Sequence, residues 1–251
     1  MHKQLNKRKK RNEGGFFEFI RTVFWAIIIA VIFRSLLFEP YNIPSGSMLP
    51  NLLVGDYLFV SKYSYGYSRF SFPFGIVPIP SRVWSSKPKR GDVVVFKLPS
   101  DTSINYIKRL IGMPGDKVQM KKGELYLNNH LVDQKKEGNY EFIHPNYLSN
   151  VSDKYKETMP NGKQYYVLND SNFSQLDETE VFVVPEGHYF MMGDNRDNSL
   201  DSRASVGFVP FENFVGKGSI IFFSVNGSAK IWQIWKWPTS IRYSRLFKKI
   251  N

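Results

Sequence analysis

Residues 16–38 are almost wholly apolar, interrupted by Glu18, Arg21, Thr22, Arg34 and Ser35. As a helix, such a segment spans roughly 30 Å at about 1.5 Å per residue, the depth of a bilayer's hydrocarbon core. The uncharged part, 22–33, is short, so Arg21 and Arg34 must reach towards the two interfaces on their long stems. Ahead of it, Lys3, Lys7, Arg8, Lys9, Lys10 and Arg11 make residues 1–15 a basic head. Three fates compete for such a segment. A cleaved leader needs small residues at its end, and here the end reads Arg34-Ser35-Leu36-Leu37-Phe38. A helix buried in a soluble domain leaves the basic head without a reason. A single membrane anchor over 16–38 accounts for both. The positive-inside rule then keeps the N-terminus in the cytoplasm and sends everything after Phe38 to the outer side.

The charge supports a membrane and argues against nucleic acid. The net +12 comes from two ends: six basic residues in 1–11 and six in 230–251, with no acid in either. Between them, 22 basic residues face 22 acidic ones. A nucleic-acid binder carries its positive patch on the folded body, whereas basic ends suit anionic lipid. There is no cysteine, which excludes disulfides and thiolate metal sites. The four histidines, His2, His130, His144 and His188, include no pair at metal-ligand spacing. Neither a zinc hydrolase nor a Ser-His-Asp enzyme is well supported, and no cofactor is expected.

Beyond the anchor the patterning predicts β structure. Residues 52–62 read as a turn at Gly55-Asp56 entering a strand, and 93–96 as a buried strand. Residues 105–111 form a strand that runs into the turn Gly112-Met113-Pro114-Gly115. On it Tyr106, Lys108 and Leu110 share one face, while Ile107, Arg109 and Ile111 take the other. The aromatic, proline-rich stretch 63–84 reads as an extended loop, lying either exposed beside the membrane or covered. Residues 124–132 and the Asn161-Gly162 turn read as hairpins, and 133–156 as polar and irregular. Together, 117–185 reads as an inserted β subdomain without chemistry of its own. The tail from Ile231, with Trp232, Trp235 and Trp237 among basic residues, fits a membrane interface or a segment packed on the core equally well.

Two short stretches can carry chemistry. Ile43-Pro44-Ser45-Gly46-Ser47-Met48-Leu49-Pro50 follows the anchor closely, and its prolines and glycine can hold a serine hydroxyl on a stiff turn. Gly193-Asp194-Asn195-Arg196-Asp197-Asn198-Ser199-Leu200-Asp201-Ser202-Arg203 is a loop able to satisfy its own backbone through Asp and Asn side chains. Its spacing lacks the glycine and glutamate of an EF-hand calcium loop. Either stretch alone is an ordinary turn.

Four segments in order resemble the bacterial type I signal peptidases, membrane-bound Ser-Lys proteases that remove signal peptides. They are 44–50, 89–97, 106–116 and 193–203, standing behind an anchor. The resemblance implies Ser47 as nucleophile and Lys108 as general base. It implies an oxyanion site from the Ser45 hydroxyl and the Ser47 backbone N–H, with Ser199 orienting the lysine and Asp201 and Arg203 as a supporting ion pair. Substrate contacts are expected at Ile43, Pro44, Val95, Asn105 and Ile107, where an extended peptide would add as a strand. The implied fold is mainly β: a coiled antiparallel β-sheet catalytic domain over 39–116 and 186–251, the insertion 117–185, and one N-terminal transmembrane helix. The implied partners are signal-peptide-bearing precursors and membrane lipid, and the implied location is the bacterial inner membrane. Two departures are visible: Asn51 stands where a threonine is common, and there is one anchor where some members have two. A self-cleaving repressor would need a DNA-binding domain in place of the anchor. A non-enzymatic envelope scaffold would explain the ends but not the four segments.

The chemistry makes a demand on Lys108. A free lysine has a pKa of about 10.4, so about one in 2,500 is neutral at pH 7. Burial must lower that by roughly 2–4 units for the amine to serve as a base.

Overall fold

The computed structural model describes residues 2–72, 75, 78–142, 150–170, 174–226 and 233–250, with backbone only for 2–14, 142 and 150. His144, Pro73, and Lys230, Ile231 and Trp232 of the aromatic tail lie outside the described residues.

Helix α1 (His2–Leu36) runs unbroken through the basic head and the apolar segment. Its stretch Gly15–Leu36 is long and apolar enough to cross a membrane, and its most apolar 18 residues are not buried by the rest of the protein. Phe17, Trp25 and Ile29 are all more than half exposed. Large apolar side chains left uncovered around a helix of this length are compatible with a membrane span. The helix stops at Leu36, and Phe38 already belongs to a strand. Arg34 turns to Glu39 (Nε–Oε1 2.9 Å), and Tyr67 donates its hydroxyl to the Leu36 carbonyl at 2.8 Å.

The remainder is β. In chain order the strands are β1 (Phe38–Asn42), β2 (Asp56–Ser61), β3 (Val93–Leu98), β4 (Asp101–Gly112), β5 (Lys117–Lys121), β6 (Glu124–Leu127), β7 (His130–Leu131), β8 (Asp133–Phe142), β9 (Asn150–Thr158), β10 (Gln164–Leu168), β11 (Phe182–Val183), β12 (His188–Met192), β13 (Val209–Pro210), β14 (Phe214–Ser224) and β15 (Lys248–Lys249). All named pairings are antiparallel. The main sheet has the order β1-β2-β14-β3-β4-β12-β13, with β15 on β14; β11-β5-β6-β7 and β10-β9-β8 form two smaller sheets. Register shifts in β12 and β14 mark bulges, which bend and twist the strands.

Residues 133–156, expected to be irregular, contain most of a long pair, β8 on β9. β8 is exposed along most of its length, so it shows no alternation of apolar and polar residues from which a strand could be read. The smaller sheets share an apolar core with the main one: Val118, Leu125 and Val167 pack with Ile111, Phe190 and Met192.

Among the described residues of the loop 63–84, those from 64 to 72 are mostly buried or half-buried, and those from 78 to 84 mostly exposed. Tyr65 is buried, and buried Arg82 donates to the carbonyls of Gly66, Phe211 and Phe214, although Trp84 stays exposed. The tail is tied down by its arginines. Arg245 donates from Nε to Asp56 Oδ1 at 2.9 Å, and Ser224 donates to the same oxygen at 2.7 Å. Asp56 is fully buried, so this basic cluster is partly spent on the core. Trp235 remains exposed.

Candidate active site

The turn around Ser47 is closed by its own backbone, Leu49 N–H to the Gly46 carbonyl and Leu52 N–H to the Met48 carbonyl. It is nailed down by Met48, fully buried in one cluster with Ile43, Leu58, Val93 and Val95. A second clamp comes from the Asp-rich loop. Asn195 donates its backbone N–H to the Ser47 carbonyl at 3.1 Å and its side-chain amide to the Gly46 carbonyl at 3.2 Å.

Lys108 is delivered by β4, where it stands opposite Val94 of β3. It is 4 % exposed, and its Nζ lies 2.7 Å from Ser47 Oγ and 5.4 Å from the centre of the Tyr106 ring. Burial pulls the Lys108 pKa down to about 8, against the opposing pull of Asp201 and Asp194 and with some help from Arg203. Each of these carboxylates already has an arginine. Arg109 grips Asp194 with two bonds of 2.7 Å, and Arg203 grips Asp201 at 3.0 and 2.9 Å. The amine is therefore desolvated without a counter-ion of its own, the condition that favours its neutral form.

Asp201 is fully buried and also accepts the Gly193 N–H at 2.9 Å. Burial alone would raise its pKa, but Arg203 and the backbone donors outweigh that and hold it low. Arg203 reaches onward to the Arg196 carbonyl at 2.6 Å. The pair is thus a brace for the loop 193–203.

These parts open on one cleft of about 470 Å³, lined by Pro44, Ser45, Ser47, Asn105, Ile107, Lys108 and Ser199, among others. Ser45 Oγ lies 3.4 Å from Ser47 Oγ. Ser199 is 5 % exposed, and its hydroxyl has no hydrogen-bond partner; the structure brings it to the cleft but not into a bond with Lys108. Ile43 and Val95 do not line the cleft; they are 2 % and 1 % exposed, in the apolar cluster against which Ile107 packs. Beyond Lys108, the outer edge of β4 is unpaired among the described residues, because β12 meets only its end, from Arg109 to Gly112.

Sequence reading missed several supports. Arg109, on the strand face opposite Lys108, is fully buried, held by Asp194, the Gly91 carbonyl and the Tyr165 ring 3.9 Å away. Asn51, the unusual residue after the second proline, donates to Asp194 Oδ2 at 2.7 Å and so joins the Ser47 turn to the same network. Gly193 is a third. A Cβ there would collide with the side chain of Ser199 and the Ser47 carbonyl. Gly193→Ala is therefore expected to displace both serines and cut turnover by at least 10²-fold, on the order of the loss from a 1 Å misplacement; comparing its kcat with its melting temperature checks this.

A serine hydroxyl held against a buried amine, in a cleft whose lining includes no histidine among the described residues, is equipped for acyl transfer. Fold and site together define a mainly β serine hydrolase with an apolar N-terminal helix. The family model for signal peptidase, peptidase S26, matches residues 16–223. Signal peptidase I of Rickettsia typhi is 41% identical over 270 residues, covering 100% of this chain and 98% of that one. Signal peptidase I of Rickettsia prowazekii is 42% identical over 267 residues, covering 98% and 96%. A solved signal peptidase I from Enterococcus faecalis is 29% identical and overlays 53% of this chain and 97% of its own, with a TM-score of 0.32, too low to bear on the fold. The chain belongs to the peptidase S26 family and is a serine endopeptidase of the signal peptidase I type. That removes the envelope-scaffold and repressor readings.

Proposed function

We propose that this enzyme cuts signal peptides from exported precursors with Ser47 as nucleophile and neutral Lys108 as general base. It works from the outer face of a bacterial inner membrane, with its N-terminus in the cytoplasm. The observation that carries the reading is the 2.7 Å approach of a buried lysine Nζ to Ser47 Oγ. Lys108 takes the hydroxyl proton as Ser47 Oγ attacks the scissile carbonyl. The oxyanion accepts from the Ser47 N–H and the Ser45 hydroxyl. The Lys108 ammonium then protonates the leaving amine, and the amine, neutral again, activates the water that releases the acyl group. Ser199, with its hydroxyl unspent, is the partner that steers Nζ once substrate excludes water.

The catalytic unit is formed by 39–116 and 186–251, interrupted by 117–185, with 16–38 as anchor. The precursor lies as an added strand between 43–45 and the free edge of β4, its backbone held by Pro44, Ser45, Asn105 and Ile107. Ile43 and Val95 shape the apolar wall behind it, which suits the small residues of a cleavage site. Lipid holds the anchor and brings the cleft to the point where a leader's apolar segment leaves the bilayer.

The test is a precursor ending in Ala-x-Ala, incubated in detergent and mapped by mass spectrometry. A single cut after the second alanine by the wild type, absent in Ser47→Ala, is the expected result. A cut that survives in Ser47→Ala would refute the assignment. Ser45→Ala is expected to keep KM and lose about 10²–10³-fold in kcat, the size of one oxyanion donor.

A further inference from the structure

A second cavity, of about 510 Å³, lies next to the catalytic cleft, and Asn105 lines both. Its walls include Arg34, Glu39, Tyr41, Lys62, Lys97 and Ser103. It therefore joins the end of the apolar helix to the start of β4. Its charge is unbalanced. Glu39 is shared by Arg34 (Nε–Oε1 2.9 Å), Lys62 (Nζ–Oε2 2.9 Å) and the Tyr41 hydroxyl (3.1 Å). Lys97 adds a third cation, which makes no ion pair among the described residues. A further acid, Asp101, is exposed at the head of β4, accepts from Ser103 at 2.9 and 2.7 Å, and interacts with Lys97 through charge alone.

We infer that this cavity is a specificity subsite for the signal-peptide segment about four to six residues before the cut, and that it takes acidic or neutral polar side chains and rejects basic ones. The inference rests on the proposed strand-addition mode. The scissile bond lies at Ser47 and Lys108. The leader's apolar segment shares the membrane with α1, whose last turns, through Arg34, border the second cavity. The chain upstream of the cut must therefore run along the free edge of β4 from Lys108 towards Ser103. At about 3.3 Å per residue, a strand there sets the peptide residue about five before the cut beside Ser103, at the cavity that Lys97, paired with Asn105 from β3, also lines. Lys62, 2 % exposed beside Glu39 at 8 %, cannot relax into water as a surface lysine does, whereas Lys97 is half-buried and Arg34 exposed. A carboxylate arriving there meets the surplus charge, whereas an ammonium adds a further like charge beside Lys97 and Arg34.

Precursors that share one Ala-x-Ala site and differ only in glutamate, serine or lysine, placed in turn at the fourth, fifth and sixth residues before the cut, test this with the full-length enzyme in detergent. At one of these positions kcat/KM is expected to fall in the order glutamate, serine, lysine. Glutamate should exceed lysine by roughly fivefold to tenfold at low salt, mainly through KM, and the difference should shrink towards 1 M salt. Lys97→Glu should flatten or invert the order, read as the ratio of rates among the three precursors within that variant, and Lys97→Gln should fall between. Equal rates for all three residues at all three positions, or an order unchanged in Lys97→Glu, would overturn the subsite. If the wild type left the serine precursor uncut, the proposed function would fall, and the subsite with it.

Discussion

Lys108→Ala is expected to lower kcat on a precursor by roughly 10⁴-fold, the upper end for loss of a general base, while the protein stays folded. The effect is large because, among the described residues, the only titratable group hydrogen-bonded to Ser47 Oγ is the Lys108 amine. The fold survives because the amine is a burden on it. Holding the Lys108 pKa near 8 when a free lysine sits at about 10.4 costs about 3 kcal/mol of stability at pH 7. Alanine removes that cost, which offsets much of the packing lost with the alkyl stem. Lys108→Arg separates base from bulk. A guanidinium keeps its proton at any working pH, so this variant should be as inactive as alanine although it keeps a long cation. Activity within tenfold of wild type in either variant would mean that another group takes the Ser47 proton.

Arg109→Met is expected to lose about 3–5 kcal/mol of stability, because it strands the Asp194 carboxylate in the interior. Arg109 is fully buried and Asp194 is 1 % exposed. Asp194 would retain the Asn51 amide but lose both guanidinium bonds. In a domain of this size, that is a fall of about 10 °C in melting temperature. A second consequence follows from charge. Asp194 already raises the Lys108 pKa from a distance, against the dominant effect of burial. Without Arg109 its charge is screened only by Arg196, which it does not bond, so the lysine should hold its proton to higher pH. The variant's residual activity should therefore be depressed more at pH 7 than at pH 9.5. Replacing both residues with apolar ones, Arg109→Met with Asp194→Leu, should recover much of the stability. A wild-type melting temperature in Arg109→Met would contradict the account of this pair.

The sequence patterning reveals the parts whose periodicity or composition is local. The N-terminal helix announces itself by an apolar run behind a basic head. Strands buried on both faces, such as 93–96, announce themselves by continuous β-branched residues. The long strand β8 has mostly exposed polar side chains, so its pairing with β9, not its own pattern, makes it a strand. Among the site residues, Ser47 and Lys108 could be singled out only through the resemblance of four segments, since a serine turn and a lysine on a strand are each commonplace. Their supports were harder to see, because each depends on a contact far away in sequence. Arg109 meets Asp194 across 85 positions, and Asn51 meets it across 143. A charge flanked by isoleucines on a strand was the available signal that Arg109 must have a buried partner.

The most direct test of the Ser47–Lys108 assignment is the pH dependence of kcat/KM for wild-type cleavage of a precursor with no titrating residue near its cut. The neutral amine is the active form, and its pKa in the folded protein is about 8. Activity should therefore rise tenfold per pH unit below that value, pass through half-maximum near pH 8, and level off above it. A profile already flat at pH 6, or one governed by a group titrating near the pKa of a free histidine, about 6.5, would contradict a neutral lysine as the base.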